Sequence, residues 1–390
     1  MESAWICAAT RTPFTRAGKG ALAAARPDDL LAALFRRILG ELPADARERI
    51  DDVIVGCAYP EAEQGRNVAR PVALSAGLPD SVPAMTLTRM CASSLEATAI
   101  AAAKVRTGEA SLVLVGGMES MSRVPIGGVK PSPNPVWSSA RPELYMGMGA
   151  TAECVAERHG IPRADQDAWA IRSHHRAAAA RAAGIFAEEI TSVPVVNEPG
   201  AADVREDDAL RPDTSLEKLA TLKPAFAEHG SVTAGNSCPM SDGASALLVA
   251  SDEAVRAFGL RPLGRVLAYA VAGVAPEVMG IGPIEAVPKA LARAKRSLAD
   301  MDRVELNEAF ASQVVAVMRA LKLPEDRLNV NGGAIALGHP LGATGARLVG
   351  TVLRELARSD GRHGLATLCI GGGMGAAMVL GRPRTFAAVV

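Results

Sequence analysis

Cys91 stands in TRMCASSLEATAIAAAKV, between a strand-like AMTLT and an Ala-rich helical stretch. A thiol at a strand-to-helix turn sits beside the positive end of the helix macrodipole, which lowers its pKa and suits a nucleophile. The other reading is a small buried hydrophobe. His339, in NVNGGAIALGHPLGATGAR, is presented at a rigid Gly-His-Pro corner ahead of a helix, as a base or as a structural histidine. Asn307 and Glu308 lie in VELNEAFASQ where a strand ends and a helix begins, which suits either a site or an N-cap. Cys369 closes a strand-like LATLCI and is followed by Gly371, Gly372 and Gly373. Glycines there expose backbone N–H groups to a developing oxyanion. A nucleophilic thiol, an imidazole, a second thiol and N–H donors are the parts of an acyl-transfer site.

These residues need elements to bring them together. DDVIVGCAY, SLVLVGGMES, RVELNEAF and GLATLCIGGG read as buried strands, and SSLEATAIAAAKVRTG and ATGARLVGTVLRELARS as helices. The alternation predicts an α/β protein with largely buried sheets. A weak internal repeat supports it. DDVIVGC, TRMCASSLEA and SLVLVGG recur in order as MDRVELNEAF, GHPLGATGAR and LATLCIGGG. A duplicated unit would carry strand ends of both halves to one crevice, where open α/β sheets bind ligands. The stretch from about Glu119 to Cys238 breaks the pattern and reads as an insertion forming a lid or loop domain, with an amphipathic helix in RADQDAWAIRSHHRAAAARAAG.

Composition excludes several classes. The 42 basic and 42 acidic residues cancel, so there is no basic footprint for nucleic acid. The widely spaced cysteines Cys7, Cys57, Cys91, Cys154, Cys238 and Cys369 form no C-x-x-C pair, which argues against zinc. No uncharged apolar run has the length of a membrane span. The start MESAWICAATRTPF carries no charged segment followed by an apolar one, so a cytoplasmic protein with free thiols is expected.

TRMCASSLEA, GGMESMSR, RPDTSLEKLATLKPAF, SVTAGNSCPMSDGA, VELNEAFA, NVNGGAIALGHPLGATGAR and CIGGGMG together resemble the thiolases, in that family's order and across nearly the whole chain. The resemblance implies an α/β fold, a five-layer α-β-α-β-α sandwich of two duplicated halves with an inserted loop domain. Its boundaries would be 1–118 with 239–262 for the N-terminal half, 119–238 for the loop domain and 263–390 for the C-terminal half. It implies a homodimer or a homotetramer, with a β-oxidation enzyme as a further partner. Cys91 would carry the acyl group and His339 would activate it. Cys369 would move a proton at the α-carbon, and Asn307 would hold a water sharing an oxyanion hole with His339. A second hole would be the N–H groups of Cys91 and Gly371. Coenzyme A would enter as substrate, with no permanently bound cofactor. Arg211 would reach its adenine or phosphate end, and Met148, Ala225, Phe226, Ala234, Cys238 and Phe310 would line the pantetheine channel.

The chain departs from the usual family pattern at four places. Ser94 replaces a glycine beside the nucleophile and is expected to narrow the site, and Glu96 replaces a glutamine. Cys238 stands for a serine that holds pantetheine, and a thiol is a weaker donor. Gly147 stands where short-chain biosynthetic members carry a histidine. The last, with Glu96, favours thiolytic cleavage of 3-ketoacyl-CoA in fatty-acid β-oxidation over acetyl-CoA C-acetyltransferase activity. A condensing enzyme of fatty-acid or polyketide synthesis would lack Cys369, and a non-catalytic lipid-binding relative would not need Cys91, His339 and Cys369 together. A disulfide between Cys91 and Cys369 would require the two to lie face to face.

Overall fold

The computed structural model describes residues 2–194 and 202–383. Ten strands form one hydrogen-bonded sheet: β1 Trp5–Arg11, β2 Thr15–Arg16, β3 Asp52–Gly56, β4 Ala84–Leu87, β5 Leu112–Ser120, β6 Ser241–Ala250, β7 Gly264–Gly273, β8 Arg303–Leu306, β9 His363–Ile370 and β10 Met374–Gly381. Their order is β4-β3-β5-β6-β1-β7-β10-β9-β8, with β2 added to β6. Strands β1 and β7 pair at only two positions, Trp5 with Arg265 and Ile6 with Gly264. This short seam joins two sheets of the same plan. In the first, β3 lies parallel to β5, followed by antiparallel β6 and β1. In the second, β8 lies parallel to β9, followed by antiparallel β10 and β7. Even β4, parallel to β3, has a remnant counterpart in a single parallel bridge from Val304 to Leu328. The repeat expected from the sequence is therefore present in the topology.

The strands are apolar on both faces, as sheets covered on both sides require. Alternate residues sort into separate cores. Val53, Val55, Leu112 and Leu114 pack against the helix Pro27–Glu41 through Leu31, Leu34 and Phe35. Ile54, Val113 and Val115 face the opposite way, onto the helix Ser93–Thr107 and the helix Leu341–Arg358. Ala366, Leu368, Ala376 and Met378 reach the same central layer from the second sheet. Leu365, Ala377 and Val379 point outward to the helices Gly282–Ala294 and Ala311–Leu321. Helix, sheet, helix pair, sheet, helix make the five expected layers. The two central helices carry small residues where they meet: a Cβ at Gly345 would stand 2.3 Å from the Leu95 backbone nitrogen.

Strands β5 and β6 pair from Leu112–Ala250 to Ser120–Asp242, so the intervening chain leaves and returns at one point. That chain carries no strand among the described residues beyond isolated bridges; it forms helices, including Met148–Arg158 and Arg163–Ala182. Among the described residues no helix is long and apolar enough to cross a membrane.

Candidate active site

Both central helices begin at the same end of the molecule. Cys91 occupies the turn Met90–Ala92 that runs straight into the helix Ser93–Thr107. The turn is tight. Met90 adopts φ +46°, and Ser93 Oγ accepts from Arg89 N and donates to Met90 O. A side chain at positive φ is held there only by such surroundings. His339 precedes the second helix, one residue after Gly338 at φ +104°. A Cβ at Gly338 would meet Ser241 Oγ at 2.6 Å, the same hydroxyl that accepts from His339 N. The backbone must pass that close to aim the imidazole.

The imidazole has a defined tautomer. Thr344 Oγ1 donates to Pro340 O, so it accepts from Nδ1–H of His339 at 2.6 Å. Nε2 then keeps its lone pair and accepts from Asn307 Nδ2 at 3.3 Å. Burial and the nearby Arg347 guanidinium push the imidazole pKa down to about 3, so the ring is a neutral base at pH 7. Asn307 does not cap the following helix, whose cap is Phe310; its Oδ1 makes no hydrogen bond within the described chain. Among the described residues no hydrogen bond joins Cys91 Sγ to His339.

Cys91 differs from the sequence-based expectation. Its thiol is pushed up to about 11, because desolvation outweighs the N–H groups of Gly371 and of Cys91 itself, which favour thiolate. The helix N-terminus does not by itself make a resting thiolate here; a base must take the proton. Cys369, at the end of β9, is 1 % exposed, against 9 % for Cys91. Burial first, then the negative charge that Cys91 and Cys238 would each carry, raises the Cys369 pKa well above the ordinary value. Cys238 is pushed up to about 12 for the same reasons, Cys91 being its largest charged influence. Three thiols thus sense one another, and at most one is readily ionised at a time. All six cysteines are free.

The glycine hairpin closes the crevice. Gly372 and Gly373 adopt φ +85° and +84°, and a Cβ on Gly373 would strike Val274 O at 2.4 Å. A Cβ on Gly371 would lie 3.4 Å from Met148 Sδ. Met148 and Phe310 pack with Cys369 in one small apolar cluster, together with Ala152, Val232, Met279 and Ala309. Phe226, largely exposed, stands edge-on to Phe310 with centroids 6.0 Å apart. Ala225 and Ala234 are exposed on the loops flanking Val232; Ala225 N donates to Val232 O. Cys238 N donates to Ala309 O, placing Cys238 beside this cluster. Arg211 is apart from it, exposed, with its backbone N–H donated to His174 Nδ1.

Ser94 also differs from expectation. It is fully buried and its Oγ accepts from Ala346 N, so it ties the two central helices together and does not narrow the crevice. Glu96 pairs with Arg89 and accepts from the Tyr269 hydroxyl, which braces the Cys91 turn against β7.

Two supporting groups, Glu119 and Thr344, are not singled out by the sequence, and a third, Glu308, reads there only as a site residue or an N-cap. Glu119, fully buried at the end of β5, accepts from Ala58 N, Tyr59 N, Gln64 Nε2 and Gly342 N. It thereby clamps the start of the second central helix onto the first sheet. Glu308 accepts from Trp169 Nε1, Ser173 Oγ, Asn329 Nδ2 and Ile335 N, joining the inserted helices to the strand that carries Asn307. Thr344 sets the tautomer. Only the hydroxyl five residues beyond His339 was visible as a signal, and it has meaning only once the helix start is known.

The family model described as the thiolase N-terminal domain matches residues 4–253, and the thiolase C-terminal domain matches 260–382. A 3-ketoacyl-CoA thiolase of Bacillus subtilis (strain 168) is 48 % identical over 388 residues, covering 97 % of this chain and 99 % of that protein. A beta-ketoadipyl-CoA thiolase of Pseudomonas putida is 46 % identical over 400 residues, covering 98 % and 100 %. The crystal structure of human mitochondrial 3-ketoacyl-CoA thiolase in complex with CoA superposes with a TM-score of 0.88 at 38 % identity, covering 98 % of each chain. The chain therefore belongs to the thiolase family of acyltransferases.

Proposed function

We propose that this chain cleaves a 3-ketoacyl-CoA with free CoA, giving acetyl-CoA and a shortened acyl-CoA through an acyl-Cys91 intermediate. The observation that carries the reading is the meeting of two buried thiols, Cys91 and Cys369, at a turn whose Gly371 N–H faces the Cys91 sulfur. His339 Nε2, the nitrogen left free by Thr344, takes the Cys91 proton as the sulfur attacks the 3-keto carbon. The C2–C3 bond breaks, and the acetyl-CoA enolate leaves with its oxygen held by N–H groups of Cys91 and Gly371. Cys369 gives the enolate carbon its proton and becomes the thiolate. The CoA thiol then passes its proton to Cys369 and attacks the acyl carbon. Cys91 departs and recovers its proton from His339. Asn307 and His339 hold the carbonyl oxygen through these steps. The same groups run the condensation in reverse.

CoA is the substrate on this reading, with pantetheine threaded past Phe226 and Met148 to the Cys369 cluster. Ala225, Ala234 and Cys238 would flank that path, and Arg211 would meet the adenosine-phosphate end. A homodimer is favoured by β4, an unpaired sheet edge whose four side chains remain only half-buried. Six free cysteines suit a reducing cytoplasm, and cleavage of a 3-ketoacyl-CoA, as in fatty-acid degradation, agrees with the name of the 3-ketoacyl-CoA thiolase from Bacillus subtilis.

The test is turnover of acetoacetyl-CoA and longer 3-ketoacyl-CoAs with free CoA, with intact-mass analysis before CoA is added. An acyl adduct on Cys91 that free CoA discharges is expected. Absence of the adduct with every chain length, or an adduct that only an acyl carrier protein discharges, overturns the proposal.

A further inference from the structure

At the far end of the sheet from Cys369 lies a cavity of about 470 Å3. Strand β9 runs between the two: His363 lines the cavity and Cys369 the crevice, roughly 20 Å apart at strand rise. The cavity walls come from β1, β7, the end of β10 and the short helix Asp252–Ala257. Four arginines line it, Arg256, Arg265, Arg296 and Arg382, with Asp252 as the one carboxylate.

The acidic groups nearby are already committed. Asp252 accepts from Ser3 N at 2.9 Å and from Trp5 Nε1 at 2.6 Å. Asp302 accepts from the backbone N–H groups of Arg362 and His363. Asp300 accepts from Ser297 N and Oγ. Among the described residues only Arg382 of these four has a carboxylate partner, Asp360, which is almost wholly exposed. Arg265 lies over the Trp5 ring at 5.6 Å and reaches Ser3 Oγ, and Arg296 contacts His363 Nε2 at 3.3 Å. Arg106, behind Arg265, donates to Val266 O and adds to the positive field. Of the four guanidiniums lining the cavity, Arg256, Arg265 and Arg296 form no salt bridge among the described residues, so their N–H forks are not taken up by a carboxylate. Guanidinium forks match phosphate oxygens, and the volume takes a diphosphate with room to spare. Trp5 is buried beneath Arg265, so the cavity offers charge and no open face for stacking.

We propose that the cavity bounded by Arg256, Arg265, Arg296 and Arg382 binds a diphosphate group, either as a free anion or as part of a nucleotide. It is separate from the acyl-transfer site and does not depend on the reaction assigned there.

The experiment titrates the full chain with sodium pyrophosphate and, separately, with ADP, by calorimetry at constant ionic strength and without divalent metal. Saturable binding of one anion per chain is expected. Arg265→Gln with Arg296→Gln should weaken it tenfold or more while thiolysis is unchanged. Arg211→Gln should leave it intact, which separates this cavity from a CoA site that also accepts phosphates. Pyrophosphate binding indicates a free anion; binding of ADP alone, lost in the double variant, indicates a nucleotide. Arg382→Gln, at the cavity rim, should weaken binding severalfold and serves if the double variant does not fold. The proposal is overturned if neither probe saturates, if the arginine variants bind as tightly as the parent, or if only Arg211→Gln abolishes binding.

Discussion

Thr344 Oγ1 lies 2.6 Å from His339 Nδ1 while giving its own hydrogen to Pro340 O. This one hydroxyl decides which imidazole nitrogen faces the crevice unprotonated. Thr344→Val keeps the volume and removes the acceptor. Losing a buried hydrogen bond of about 1–3 kcal/mol in the reacting state corresponds to a fall in kcat of about fivefold to 150-fold. KM for CoA should hardly move. An unchanged kcat in steady-state thiolysis would show that the tautomer is set elsewhere.

In the proposed reaction Cys369 moves the proton at the α-carbon and Cys91 carries the acyl group. Cys369→Ser should therefore still acylate at Cys91 but exchange the acetyl-CoA methyl hydrogens with deuterated water at least a hundredfold more slowly, since general acid–base catalysis contributes about 10²–10⁴-fold. Proton NMR of acetyl-CoA with the variant makes the measurement. Exchange at the parent rate assigns the proton to another group.

The Cys91 thiol, raised from an ordinary 9.0 to about 11 by burial, titrates late. Its rate of alkylation by iodoacetamide should climb about tenfold per pH unit from 7 to 10 without levelling, because the thiolate fraction does. A curve that bends at pH 9 and levels by pH 10 would mean an unperturbed thiol. The same shift has a sign for stability. The folded pKa lies above the unfolded one, so the contribution is complete below pH 9 and is lost as pH rises through 11. Urea midpoints measured between pH 8 and 10.5 should fall more in the parent than in Cys91→Ala.

Glu119 connects the two halves through Gly342, Ala58, Tyr59 and Gln64. Burial raises its pKa, so the donors around it are what keep the carboxylate acceptable. Glu119→Ala leaves several buried donors without an acceptor, at about 1–3 kcal/mol each. Its unfolding midpoint should drop by several degrees, with kcat falling in the part that stays folded, because Gly342 starts the helix behind His339. A variant as stable and as active as the parent would show that the clamp is dispensable.

The candidate site residues and the duplicated α/β order were legible in the chain itself, whereas the five-layer plan came only with the resemblance to the thiolases. Cys91 between AMTLT and an Ala-rich run, the Gly-His-Pro corner at His339, and the glycines after Cys369 are local signals, since turn chemistry and strand and helix patterns act within a few residues. The duplicated order of strands and helices was legible for the same reason. What the tertiary structure decided is everything that depends on burial and on distant partners. The Cys91 thiol is protonated at rest because desolvation outweighs the local helix N-terminus that the sequence displays. Ser94 looks inward to Ala346, Asn307 turns to His339 and away from a helix cap, and Glu119 and Glu308 become hubs only when segments far apart in sequence meet around them. Local preference is written residue by residue along the chain. Solvation and the pairing of buried polar groups are properties of the packed whole, because only there is water excluded and each donor assigned its acceptor.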